Sequence, residues 1–220
     1  MRTVGFVSPK GGAGKTTAAL LLALGLAEQG RRVAIIDSDP NKPLVHWGSL
    51  AGRPPLITVH PAPTVQDVRD ALREAHRCNP EWVILDTEGS LRGAMAFTTM
   101  RLDLVLTPLA GSQLEALQAI RSAEIVEEFG GRSGLRPRHR CLLTRVPAAL
   151  KPQGLRAVVA QLHERRIELL PTALLEKEAF RTLFAVGGGF PEVERSGVSG
   201  VAAARRNAEA YLEAVIEAIE

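Results

Sequence analysis

Apolar positions along this chain fall into two alternating rhythms. The first is the short unbroken run: Thr3–Val7, Arg32–Asp37 and Trp82–Asp86 each read as a strand buried on both faces. Asp103–Thr107, Cys141–Thr144 and Ile167–Leu170 continue the series, and Ile57–His60 makes a short strand among prolines. The second rhythm has helical spacing. Lys15–Gln29 reads as a helix ended by Gly30 at the left-handed cap position. Thr64–Arg77 has Thr64 as N-cap and gathers Val65, Val68, Leu72 and Ala75 on one face. Further helices fall near Leu114–Phe129 and Gly154–Arg165, and a last one runs from Val201 to Ile219. Gly130–Arg140 and Gly187–Gly200, rich in Gly, Pro, Ser and Arg, read as exposed loops. Strands alternating with helices predict an α/β fold of three layers, α/β/α, with a mostly parallel central sheet. Ligands in such folds sit beyond the C-terminal ends of the strands.

Composition narrows this picture only a little. The 220 residues suit one large α/β domain over 1–220, and 45% hydrophobic content is enough for a sizeable core. Aromatics are 4%, so Leu, Ala, Val and Ile fill that core. The net charge of +3 is compatible with nucleic acid without pointing to it. Cys78 and Cys141 are far apart and have no metal-ligand spacing, which suits a reduced cytoplasmic compartment. Met1-Arg2 runs straight into the first strand and leaves no room for a signal peptide. The longest apolar stretch, Ala18–Ala27, is too short to span a bilayer.

The candidate chemistry starts where the first strand ends. Lys10-Gly11-Gly12-Ala13-Gly14-Lys15-Thr16-Thr17 makes a glycine turn between strand and helix. Such a turn aims backbone N–H groups at an anion. Lys15 reaches β- and γ-phosphates there, and the Thr16 hydroxyl holds Mg²⁺. The general P-loop pattern asks for glycine where Pro9 stands, and a second lysine, Lys10, occupies the mouth of the loop. Asp86, at the end of WVILD, fits an acid ordering the Mg²⁺ shell; the alternative is a strand-end carboxylate capping a helix.

This eight-residue form resembles the deviant P-loop of the ParA/MinD class of ATPases. The resemblance runs through nearly the whole chain, strongest in residues 8–48 and 82–90, and implies ATP and Mg²⁺ as ligands. It implies that Lys10 reaches across a homodimer sandwich to the partner's phosphates. Asp37-Ser38-Asp39-Pro40-Asn41 resembles the family's switch after the second strand. On that resemblance Asp39 orients or activates the attacking water, and Asp37 supports the metal shell or the strand end. Thr87-Glu88-Gly89-Ser90 takes the place of the second switch but departs from the family's usual forms; Glu88 is expected to face solvent. Thr107-Pro108 and Gly111–Ala116 resemble a region near the family's dimer interface. Thr144-Arg145-Val146 occupies the place from which the family contacts adenine; Arg145 either stacks on the base or is an exposed strand-end arginine.

The segment PNKPLVHWGSLAG, with Trp47, and Glu178-Ala179-Phe180 resemble small ParA proteins of the ParF type and VirC-type ATPases of DNA-transfer systems. The P-loop begins at once, leaving no room for an operator-binding extension. The cysteines are wrongly placed for a nitrogenase-iron-protein relative. Membrane anchoring as in MinD relatives asks for a basic terminal helix. Here Ala204, Ala208, Tyr211, Leu212, Val215, Ile216 and Ile219 share one face, and Glu209, Glu213, Glu217 and Glu220 the other, as in a helix packed on the sheet. No membrane partner is expected. The family's alternative track is non-specific DNA, held by basic residues. Arg205 and Arg206, with Arg181 and Arg195 nearby in sequence, are one candidate cluster, and Arg132, Arg136, Arg138 and Arg140 a second; each is otherwise a solvated face. The resemblance thus implies a cytoplasmic, nucleoid-associated ATPase stimulated by a ParB-like or other adaptor. Its cargo would be a plasmid, a protein assembly such as a chemoreceptor cluster, or a DNA-transfer complex.

Overall fold

A computed structural model of the chain describes residues 1–9, 11–88, 102–133, 137–147 and 152–220; of residues 129–133 and 152–154 it describes the helical backbone alone. Six strands, β1 (Arg2–Phe6), β2 (Val33–Asp37), β3 (Ile57–Pro61), β4 (Trp82–Asp86), β5 (Leu104–Leu109) and β6 (Arg138–Leu143), form one sheet in the order β3-β2-β4-β1-β5-β6. Every pairing is parallel. The helices are α1 (Lys15–Glu28), α2 (Pro43–Ser49), α3 (Val65–Arg77), α4 (Gln113–Ser133), α5 (Pro152–Glu164), α6 (Glu178–Val186), α7 (Phe190–Arg195) and α8 (Val201–Ile219).

Period-two alternation in the strands feeds two separate cores. Val33 and Ile35 of β2, with Trp82 and Ile84 of β4, face one side; Ala34, Ile36, Val83 and Leu85 face the other. On the first side lie α1, α2, α6, α7 and α8, and on the second α3 with Val126 of α4. A third cluster joins α4 and α5 to β6. The sheet is therefore covered on both faces, the expected three layers. Helix α1 is buried nearly all round, as its run of Leu and Ala requires. Helix α8 lies against it: Tyr211 is fully buried with its hydroxyl 3.3 Å from the Ala18 carbonyl, and Leu212 packs so closely on Gly25 that a Cβ there would lie 2.9 Å from Cδ2. The apolar face of α8 is thus spent on the core. Among the described residues no helix is long and apolar enough to cross a membrane.

Three expectations need correction. Gly130–Arg140 is not all loop: α4 continues to Ser133 and β6 starts at Arg138, with 134–136 outside the described residues. The polar start of this edge strand hid it, because each polar side chain has a specific partner. Arg138 donates to the Ala218 and Glu220 carbonyls at the end of α8, His139 meets the Thr107 hydroxyl at 2.9 Å, and Arg140 pairs with Glu168 at 2.6 Å. Gly187–Gly200 contains α7, whose Phe190 and Val193 are buried; so short a helix displays no full apolar period. Ile167–Leu170 is not a ladder strand. It touches β6 through a single bridge at Cys141 and Leu169, and the chain to Glu176 then covers the outer edge of β6.

The α1–α8 contact is expected to carry much of the stability of this face. Leu212→Ala should lower the unfolding free energy by about 2–5 kcal/mol, measured by urea denaturation.

Candidate functional site

The C-terminal ends of β1, β4 and β2 lie side by side, with Phe6 level with Asp86 and Asp86 level with Asp37. The glycine turn follows β1 and delivers the chain to α1. Gly14 caps α1 in the left-handed region at φ 87° and lies so close to Thr144 that an added Cβ would be 3.3 Å from the threonine Cβ. Only glycine meets both conditions without strain. Thr144, beyond the end of β6, donates its hydroxyl to the Ala13 carbonyl at 2.8 Å and so fixes the turn from outside. Arg145 follows in the left-handed region at φ 52°, exposed, with its guanidinium over the turn: a Cβ on Gly12 would lie 3.9 Å from Nη1.

Lys15 opens α1 and is only 6% exposed. Burial lowers its pKa, opposed by the nearby charges of Asp86, Asp39 and Glu88. Asp86 is fully buried, and neither carboxylate oxygen has a hydrogen-bond partner among the described residues. Burial pushes its pKa up to about 7. Asp37 and Asp39 push the same way, while the Thr16 hydroxyl and Lys15 hold it down; Thr16 comes near without completing a hydrogen bond of regular geometry. An uncompensated buried carboxylate is costly to ionise and is a ready position for a cation. No group of three or more His, Cys, Asp or Glu among the described residues is arranged to hold a metal by itself. One carboxylate and one hydroxyl suit Mg²⁺, which completes its octahedron with water and phosphate oxygens.

Asp37 is equally buried but differently employed. Its Oδ2 accepts from the Leu44 and Val45 N–H groups at 2.8 and 3.0 Å, and Oδ1 from the Asp39 N–H at 3.2 Å. It therefore caps the start of α2, where Pro43 at the first turn leaves these amides to be satisfied. Burial still raises its pKa against those three bonds. Asp39 is half-buried, and its Oδ1 accepts from the Asn41 backbone and side-chain N–H at 2.8 and 3.0 Å. Glu88 does not simply face solvent: it is half-buried and its charge acts on Lys15. Lys10, Gly89 and Ser90 lie outside the described residues.

Beside the turn a cleft is lined by Gly14, Thr17, Thr144, Arg145, Leu174–Lys177, Phe180 and Arg181. Arg181, grouped in the sequence with the other arginines, is thus at the mouth of this cleft, paired with Glu176 at 2.5 Å and Glu178 at 3.1 Å. The remaining arginines sit on α7 and α8, which pack together. Arg195 pairs with Glu192, and Arg205 with Glu28 and Glu209, each at 3.2 Å. Arg206 is exposed. Of the second cluster, Arg138 and Arg140 have the internal partners given above, Arg136 lies outside the described residues, and the Arg132 side chain is not described.

Known proteins resemble this chain over nearly its whole length. The family model described as VirC1 protein matches residues 1–220. Protein ParA of Rhizobium radiobacter is 30% identical over 217 residues, covering 99% of this chain and 97% of its own length. In fold, the chain is similar to apo McdA of Cyanthece (TM-score 0.74, 17% identity, 98% and 99% of the two chains). It is also similar to the septum site-determining protein MinD complexed with Mg-ADP from Pyrococcus horikoshii (TM-score 0.69, 15% identity, 97% and 95%).

The raised pKa of Asp86 sets a pH dependence. Between the unfolded value near 4 and the folded value of about 7 the native state holds the extra proton, so stability contributed by Asp86 falls as pH rises through that window. Without Mg²⁺, Asp86→Asn should flatten this decline and stabilise the protein at pH 8 by up to a few kcal/mol, read by thermal or urea unfolding across pH 5–8.

Proposed function

Because the chain belongs to the VirC1 family, within the ParA/MinD class of ATPases, we propose that it is a nucleotide-switched positioning or partition ATPase that works as an ATP-dependent homodimer on non-specific DNA. The observation that carries the reading is the buried Asp86 carboxylate, without a hydrogen-bond partner of regular geometry among the described residues, set with Lys15 and Thr16 where the glycine turn enters α1. A cation and phosphates would complete that arrangement.

In this reading the whole of 1–220 is one ATPase domain. Gly11, Gly12, Ala13, Gly14, Lys15, Thr16 and Thr17 cradle the phosphates of ATP. Thr16 and Asp86 hold Mg²⁺, with Asp37 fixing the neighbouring strand end. Bound Mg²⁺ would supply charge neutralisation at the phosphate oxygens. Lys15 holds the β- and γ-phosphates, and Asp39 orients the attacking water. Thr144 and Arg145 border the nucleotide from the β6 side. Lys10 reaches the second subunit's phosphates, so that hydrolysis, slow alone and stimulated by a ParB-like or other adaptor, is tied to the dimer.

The DNA contact is assigned to Arg205 and Arg206, with Arg195 on the adjoining helix. Surface ion pairs such as Arg205 with Glu28 are worth about 0–1 kcal/mol and are readily exchanged for phosphate. The cargo in this reading is a plasmid with its centromere-binding protein, as the relative named ParA favours. The match over 1–220 to the VirC1 family favours a second reading, an accessory ATPase of conjugative DNA transfer.

Binding to random-sequence duplex DNA, measured with ATP, with ADP and without nucleotide across a salt series, tests the DNA track. ATP-dependent binding that weakens steeply with salt is expected, with Arg206→Ala lowering both affinity and the salt slope by about one phosphate contact. Absence of binding with every nucleotide would contradict it.

A further inference from the structure

The turn that carries Asp39 is held from behind by a part of the molecule remote from the phosphate cradle. Ser38 ties the start of the turn Ser38–Lys42 to the Asp86 carbonyl, and Asp37 ties its far end to α2 through the Leu44 and Val45 N–H groups. Helix α2 is one of the shortest in the fold, and Lys42 enters it at φ 50°, a left-handed backbone that a lysine adopts only when its surroundings impose it.

Those surroundings centre on Trp47. Its side chain is fully buried, and its indole Nε1 donates to the Gly188 carbonyl at 3.1 Å, 141 residues further along the chain. The receiving loop is built to come this close. At Gly187, φ 76°, a Cβ would stand 2.5 Å from the Leu50 Cβ and 2.8 Å from the Ala51 carbonyl oxygen. At Gly188, φ 61°, one would stand 2.6 Å from the Glu192 carboxylate. Glu192 in turn accepts from the Gly189 N–H at 2.8 Å and packs its side chain on Gly52, just beyond α2. No residue with a side chain fits Gly187 or Gly188 without moving Leu50 and Ala51, just after α2, or Glu192.

The other end of this loop leads back to the cleft beside the glycine turn. Gly187 follows directly on α6, whose Phe180 and Arg181 line the cleft beside Gly14 and Thr17. Phe180 meets Phe190 of α7 with ring centres 6.4 Å apart, which ties both ends of the loop into one buried unit. The chain thus runs from the cleft wall along α6, through the glycine loop, across the indole hydrogen bond into α2, and through the Asp37 cap to the Asp39 turn.

We infer that Trp47, docked on the Gly187–Gly189 loop, is a positioning residue that holds the Asp39 turn in place and couples it to the wall of the cleft beside the P-loop. This rests on the proposed role of Asp39 in hydrolysis but concerns the strut behind it. Trp47 is fully buried and is not among the residues lining the cleft. It acts by fixing α2, and so the amides that orient Asp37 and the turn.

Trp47→Phe keeps a buried ring and removes the N–H donor. Gly188→Ala keeps the indole and drives a Cβ into Glu192. Two readouts apply to both variants. In amide hydrogen exchange of the nucleotide-free protein, Asp39–Val45 should exchange roughly tenfold faster than in the wild type, the loss of about one buried hydrogen bond, while α1 and α8 stay protected. In steady-state turnover, kcat for ATP should fall severalfold while the affinity for ADP stays within twofold. Unchanged protection of Asp39–Val45 in both variants would overturn the strut. Faster exchange with unchanged kcat would overturn the positioning role. If the wild-type protein itself failed to hydrolyse ATP, the hydrolysis reading of Asp39 and with it the positioning claim would fall, and the exchange data would still decide whether the strut exists.

Discussion

A carboxylate removed from water is unfavourable in its charged form unless it is compensated, and Asp86 is fully buried at the middle of the sheet with no hydrogen-bond partner of regular geometry among the described residues. Its strand is flanked by β1 and β2, and Asp37 stands level with it on β2. Lys15, itself buried, offsets its charge. Much of the surrounding architecture can be understood as keeping this arrangement dry and fixed. Thr87 donates to the Phe6 carbonyl at 2.7 Å, and Ser38 donates to the Asp86 carbonyl through both its N–H and its hydroxyl. The three strand ends are therefore cross-linked just where the charges meet. In the proposed function, phosphate and a divalent cation would offset this burial together.

The two buried aspartates show how position decides role. Asp37 and Asp86 are adjacent in register, end parallel strands and are both fully buried. Asp37 has three backbone N–H donors and becomes a structural cap, whereas Asp86 has none among the described residues. Asp39 stands between these extremes, half-buried, with one oxygen occupied by Asn41. The carboxylates thus form a series from fully committed to fully available, with Lys15 among them.

Much of this was legible in the sequence. The glycine turn, β4 over Trp82–Asp86 and the terminal helix over Val201–Ile219 stand where the residue pattern places them, because each is long or distinctive enough to announce its period. Helices α2, α6 and α7 escaped: they are short, and their apolar residues make sense only against partners far away in sequence, as Trp47 does against Gly188. The cap formed by Asp37 was equally hidden, since a strand-end aspartate reads the same whether it holds a metal or two amides seven and eight residues on. The surroundings of Glu88 and Arg181 were hidden too, since residue type says nothing of direction; Glu88 is half-buried with its charge acting on Lys15, and Arg181 borders the cleft.

The central claim is that Lys15 and Asp86 await a magnesium–nucleotide. Calorimetric titration of the nucleotide-free protein with ATP, with and without Mg²⁺, tests it directly when repeated on Lys15→Ala. The account predicts binding that is tighter with Mg²⁺ and is lost in the variant. Tight ATP binding by Lys15→Ala, or binding indifferent to Mg²⁺, would contradict it.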